Sequence, residues 1–162
     1  ILRFGTLFGT SPRLRFDLVV NIFIIQSIMD GEITVDGGDQ YRPFLHVEDA
    51  ADSLIFALEK NLTGTYNVVS ENKTIMQVAE LVSEISGCKI NISQKNPDKR
   101  NYRVSADKIK ASGFNPIHTI KESFKEFEDK VKSGEIKNYK EAVFNNYKQL
   151  FESDEARKKA FI

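Results

Sequence analysis

The stretches QYRPFLHV (residues 40–47) and DKRNYR (residues 98–103) each set arginine beside aromatic side chains, and chemistry is looked for there first. Arg42 lies between Tyr41 and Phe44 in what reads as half-buried extended chain, and arginine is rarely buried without an anionic partner. Its guanidinium is a planar fork of donors suited to gripping a diphosphate with several hydrogen bonds at once. Arg100, with Arg103 close by, offers a second guanidinium from a separate loop, so two loops could clamp one pyrophosphate from both sides. The competing reading is structural, with Arg42 paired to Glu48 or Asp49. On residue chemistry alone the two readings weigh equally.

Other chemistries have little material. The two histidines, His46 and His118, lack HxxxH or HxH spacing, so no zinc or iron site is expected. His118 falls in NPIHT, where the start of a helix is the expected role. The acidic residues of KESFKEFEDK fit a solvated helix face with i,i+4 partners better than a glycosidase pair. There is no GxGxxG and no GxxxxGK[ST]; Gly5 and Gly9 at a strand end identify no nucleotide loop alone. The single Cys88 has no disulfide or CxxC partner and is read as a small buried hydrophobe in a reducing compartment.

Lysine plus arginine equals aspartate plus glutamate at 23 each, so no global field draws nucleic acid or an acidic membrane, and any anion site must be local. The apolar run 16–29 contains Asp17, Asn21 and Gln26 and is short for a bilayer, and the first residues lack a signal-peptide pattern. The expectation is a soluble cytoplasmic protein. The chain opens on ILRFGTLFG, already strand-like and without an initiator methionine, which is read as a piece of something longer.

Periodicity and punctuation place these residues. Residues 1–5 read as a strand, GTLFGTSPR as a loop, and 16–29 as a helix apolar nearly all round. Strands are expected at 33–35, 41–46, 64–70 and 89–94. A helix is expected at 48–60, with Ala51, Leu54, Ile55 and Leu58 forming one apolar stripe. Further helices are expected at 74–86 stopped by Gly87, at 106–111 closed by Gly113, at 119–132 and at 139–151, the last followed by a charged tail. NPDKRNYR is a polar loop. The alternation of strands with helices gives an α/β protein of about six helices and short strands.

The strings LRFGTLFG, SPRLRFDLVVNIF, GEITVDGGDQYRPFLHVEDAADSLIFAL, GTYNVVS and TIMQVAELV together resemble the C-terminal half of the extended short-chain dehydrogenase/reductase family, the NAD-dependent nucleotide-sugar epimerases and dehydratases. The resemblance runs over roughly residues 1–115, and its most specific part is GGDQYRPFLHVEDAADS, similar to the family's glycine turn followed by R-x-x-x-H-V-x-D. It implies that Arg42 binds the diphosphate of a nucleotide sugar, and that Asn21 contacts the same group. Ile33 and Val35 would lie against the nucleotide base and ribose. Arg100 would be the second diphosphate arginine, since DKRNYRVSADKI is similar to the dehydratase pattern. Phe4 would lie near the nicotinamide of NAD, and Thr6 stands where the family has a substrate-touching asparagine. His46 and Asp49 would be architectural.

The family's N-terminal GxxGxxG and its Tyr-x-x-x-Lys are not in this sequence: Leu45, Ser70, Ala106, Val143 and Phe151 stand four residues after the five tyrosines. The resemblance thus implies an extended Rossmann-type fold cut to its C-terminal part. Residues 1–162 would be the substrate-binding half of a nucleotide-diphosphate-sugar epimerase or dehydratase. Strands 1–5 and 65–69 would belong to the dinucleotide-binding sheet, NAD would be bound mainly by an N-terminal half outside this chain, and the whole enzyme would be a homodimer. By itself the chain would lack turnover. A non-catalytic nucleotide-sugar-binding module and a structural interaction domain are the alternatives.

Overall fold

The computed structural model describes residues 1–93 and 98–151. Gln94 of the expected strand, Asn96 and Pro97 of the expected polar loop, and the charged tail lie outside them.

Among the described residues, seven short strands form three small sheets. β1 (Leu2–Phe4) pairs with β5 (Tyr66–Val68) in parallel. β4 (Tyr41–His46) is the centre of a second sheet, parallel to β2 (Thr6–Phe8) and antiparallel to β6 (Glu71–Thr74). β3 (Glu32–Asp36) and β7 (Lys89–Ser93) make a third, parallel pair. The expected α/β class is what forms. β2 and β6 are additions: GTLF reads as a loop and ENKT as polar, yet both find backbone partners on the two edges of β4.

α1 (Val19–Met29) begins three residues later than its apolar run suggests, because Leu18 is extended and Asp17 is turned onto Arg15 at 2.9 Å. α1 packs against α3 (Ile75–Ser86), α5 (Ile120–Lys132) and β3, burying Val20, Phe23, Ile24 and Ile25 in the larger core. Both α3 and α5 start with capping boxes, Thr74 with Gln77 and Thr119 with Glu122, which satisfy amides left free at a helix start. Gly87 ends α3 in the left-handed conformation, as a C-terminal glycine does.

A smaller core lies on the other side of β4, under α2 (Val47–Glu59) and α4 (Asp107–Ala111). Phe44 enters the first core and Leu45 the second, since neighbouring strand residues face opposite ways. α2 departs from expectation in its roll. Ala50 and Ser53 are buried, whereas Ala51, Leu54, Ile55 and Leu58, the apolar stripe, face outward, with Leu58 78% exposed. The helix start fixes that roll: His46 caps it, and buried Asp49 accepts hydrogen bonds from the Ile117 and His118 amides at 2.9 and 3.1 Å. Cys88 is buried, as expected of a small hydrophobe.

The expected helix over 139–151 is broken. Tyr139 turns inward to pack on Phe16 and bond Asp30, residues 142–144 make one tight turn, and Asn145 is extended before α6 (Asn146–Phe151). No described helix is long and apolar enough to cross a membrane.

Candidate functional site

β4 delivers Arg42 to the floor of a cavity of about 380 Å³ enclosed by the start of α1, β3, β4 and the loop 98–103. That loop is laid along the beginning of β4. The Tyr102 amide donates to the Tyr41 carbonyl at 3.3 Å, and the Tyr41 amide donates to Asn101 Oδ1 at 3.0 Å. Arg103 covers the Tyr41 ring at 3.6 Å, and Asn72 exchanges two hydrogen bonds with Val104. The loop therefore sits in a fixed register over the arginine.

Arg42 is 6% exposed. Its Nη1 donates to the carbonyl oxygens of Tyr41, at 2.7 Å, and of Arg100. Its Nη2 lies 2.8 Å from Asp98 Oδ2, a charge contact without hydrogen-bond alignment, so that buried nitrogen keeps unmade donor capacity. The partner weighed in the sequence, Glu48 or Asp49, is not the one found: Asp49 is committed to the 117–118 amides. Arg100 reaches Asp98 from the other side, with Nη2 to Oδ2 at 2.6 Å and both Nε and its own amide to Oδ1 at 3.1 Å. The hydrogen bonds from Arg100 first, and the adjoining Arg42 guanidinium second, hold the Asp98 carboxyl far below the usual carboxylate range. The result is a guanidinium, carboxylate, guanidinium bridge at the cavity wall.

Of the residues expected at a ligand site, Thr6, Arg42 and Arg100 line this one cavity. Asn21 lines the neighbouring one, of about 110 Å³, accepting from the Gly9 amide at 3.0 Å and donating to the Arg15 carbonyl at 3.0 Å. Ile33 and Val35 require a correction: both are fully buried in the larger core, and the period-two alternation of β3 turns Thr34 and Asp36 to the cavity instead. Phe4 lies outside it, 38% exposed on β1. Asp98 escapes a reading of DKRNYR for its arginines, although an acidic residue two positions before Arg100 is an available signal.

A second cluster lies at the start of α2. His46 is fully buried, stacked on His118 at 4.8 Å and edge-on to Phe8 at 5.2 Å. Glu48 Oε2 is 3.4 Å from His118 Nε2, so potential ligand atoms of His46, Glu48 and His118 fall within 4.8 Å of one another. Sequence spacing gives no hint of that grouping. His46 Nδ1, however, accepts from the Glu48 amide at 3.2 Å, and Nε2 is aimed at Gly9, so neither nitrogen converges freely with His118. Burial, and secondarily His118, pushes the His46 imidazole below its ordinary pKa and keeps it neutral.

The family model described as the NAD dependent epimerase/dehydratase family matches residues 1–69, which include β1, β2, β4 and Arg42. Over those residues, less than half of the 162, the chain is similar to this family. UDP-glucuronic acid decarboxylase 3 of Arabidopsis thaliana is 34% identical over 109 residues, covering 63% of this chain and 32% of that protein. UDP-glucuronic acid decarboxylase 1 of Danio rerio is 26% identical over 129 residues, covering 75% and 31%. Among solved structures, UDP-glucuronic acid 4-epimerase from Bacillus cereus, in complex with UDP-glucuronic acid and NAD, is 25% identical with a TM-score of 0.66, covering 82% of this chain and 45% of that one. UDP-glucose 4-epimerase of Thermus thermophilus, complexed with NAD, gives 25% and 0.63, covering 78% and 45%. The chain thus spans about a third of the length of these curated relatives and just under half of these solved structures.

Proposed function

We propose that this chain is the substrate-holding part of an NAD-dependent enzyme acting on a nucleotide-diphosphate sugar, and that the Arg42 cavity receives the diphosphate. The observation that carries this is Arg42 itself: a nearly buried guanidinium, fixed by two backbone carbonyls, that still has donors to offer at a cavity wall. Water does not reach it freely, so an anion brought there meets a strong and directional partner. Arg100, on the exposed side of the same bridge, closes over the ligand. Thr34 and Asp36 face the cavity from β3, where sugar or base hydroxyl and amide groups would find acceptors. The relatives' names carry UDP, so UDP is the probe of choice.

NAD, when bound, would supply a reversible hydride acceptor, held mostly by residues of the whole protein other than these, with Phe4 of this chain near its nicotinamide. The present residues hold the remote diphosphate and so orient the sugar, which is how binding energy away from the reacting carbon accelerates its reaction. A cofactor-binding half would extend the β1–β5 pair into a larger parallel sheet and cover the Leu54, Ile55 and Leu58 face of α2. The outward apolar stripe and the exposed sheet edge support that reading, since parallel sheets are normally covered on both faces.

The test is calorimetric titration of the whole protein with UDP. Arg42→Ala is expected to weaken binding by about 2–5 kcal/mol, the range for truncating one partner of a buried charge pair. Arg42→Lys keeps the charge without the fork and should fall between. Arg100→Ala acts in the same direction but less, because Arg100 is 74% exposed. Unchanged affinity in folded Arg42→Ala protein would leave Arg42 a structural residue only.

A further inference from the structure

Asp98 is the acidic member of a clamp that the proposed function assigns to an anion. A single oxygen, Oδ2, lies 2.8 Å from Arg42 Nη2 and 2.6 Å from Arg100 Nη2. An oxygen touching two guanidiniums at once is what a bridging phosphate oxygen would be. We propose that Asp98 is a placeholder for the ligand's phosphate, and that a diphosphate binds by exchange, displacing the carboxylate from Arg42 and Arg100. The inference rests on the reading of the cavity as a diphosphate site.

Three features favour exchange over a permanent bridge. The Asp98 side chain is 41% exposed and sits in irregular chain, so it can swing outward without breaking a helix or strand. Its fit to Arg42 is incomplete, since Nη2 makes the charge contact without an aligned hydrogen bond. Arg42 is held by carbonyl oxygens on its other nitrogen and stays in position when Asp98 leaves.

The arrangement solves an electrostatic difficulty of an empty site. Two guanidiniums around one point repel each other, and the buried one cannot relieve this by moving into water. The carboxylate offsets that repulsion until a ligand arrives. It also sets a threshold: a singly charged ligand merely replaces one negative charge by another, whereas a diphosphate brings more charge and more acceptor oxygens than Asp98 supplies. Selection of diphosphates over monoanions follows.

The experiment compares wild-type and Asp98→Asn whole protein, each titrated with UDP and with uridine. Asn keeps the shape and removes the charge. UDP should bind the variant about two- to fivefold more tightly, the range for releasing a partly exposed ion pair, and uridine should bind both proteins alike. Hydrogen exchange on wild-type protein gives a readout independent of the substitution: the Arg100 amide, which donates to Asp98 Oδ1, should exchange faster once UDP is bound. Equal or weaker UDP binding by Asp98→Asn, equal tightening of uridine, or an Arg100 amide unmoved by UDP would each overturn the placeholder while leaving the diphosphate site standing. Failure of both proteins to bind UDP would overturn the site and the placeholder together.

Discussion

Replacing Gly9 by alanine tests how rigidly the loop after β2 is seated on the start of α2. Gly9 has φ +102°, and an added Cβ would lie 2.3 Å from His46 Nε2. His46 cannot retreat: it is fully buried, its Nδ1 holds the Glu48 amide at 3.2 Å, and Phe8 and His118 flank its ring. The loop cannot rise either, because the Gly9 amide is held by Asn21 at 3.0 Å. Two costs therefore combine. A left-handed backbone costs a non-glycine residue about 1–2 kcal/mol, and forcing an atom into a packed site about 1–3 kcal/mol more. Gly31 separates them, since its φ is +71° and nothing lies within 4 Å of an added Cβ. Gly31→Ala should cost only the backbone part, about 1–2 kcal/mol. Urea unfolding of the wild type and both variants should give a midpoint loss clearly larger for Gly9→Ala, at unchanged m-value. Adding His46→Ala to Gly9→Ala should remove the extra loss but not the backbone part, a coupling read from the double-mutant cycle. Equal losses for the two glycine variants would refute the packing of His46 against Gly9.

Asp49→Ala should destabilise the protein by about 2–4 kcal/mol, because it removes a buried acceptor of two amides, and hydrogen exchange at Ile117 and His118 should rise most. Asp49→Asn, keeping one carbonyl oxygen, should cost less. Because His46 titrates below its unfolded pKa of about 6.5, the unfolded chain takes up the proton first. Stability should therefore hold above about pH 6.5 and fall as pH drops below it, and a His46→Gln variant should lose part of that slope, measured as urea midpoint against pH. In the isolated chain, amides of Leu2–Phe4 and Tyr66–Val68 should exchange faster than those of α2, since the β1–β5 pair is two strands wide. Equal protection would make the chain a self-sufficient domain.

Local signals are legible where they act locally. Thr74 and Thr119 announce helix starts, Gly87 announces a stop, and QYRPFLH reads as extended chain; all form as read. Arg42 is recognisable as a residue in need of an anion because burial of a guanidinium demands one. Its partner is not, because Asp98 is brought to it only by the docking of a loop onto β4, and its place in the sequence signals a pairing with Arg100 rather than with Arg42. The choice between Ile33 with Val35 and Thr34 with Asp36 is open to the strand period alone: apolar residues face the core, which leaves the polar pair for the cavity. The family resemblance points to the apolar pair, and the alternation decides against it. The stripe on α2 fails in the opposite way. Apolar periodicity predicts a covered face, yet among the described residues this face is exposed, because Asp49 and His46 turn it outward. Tyr139 breaks an expected helix because Phe16 and Asp30, far away in sequence, offer its ring and hydroxyl better places.

Among the described residues, none of the four strand ladders joins strands that follow one another in the chain. β1 waits for β5, β2 for β4, β3 for β7 and β4 for β6, and the first three pairings are parallel. No hairpin can nucleate any of them, so each requires a long loop to close before a single ladder contact is gained. α1 and α3 can form early on their own turns, but Arg42 acquires its surroundings only after β2, β6 and the 98–103 loop have all reached β4. On the ribosome, the strand that bears the arginine would emerge well before the residues that neutralise it. The protein should accordingly fold slowly for its size, with a binding cavity that appears in the last phase of folding, and mutations in that late loop should change the unfolding rate more than the folding rate.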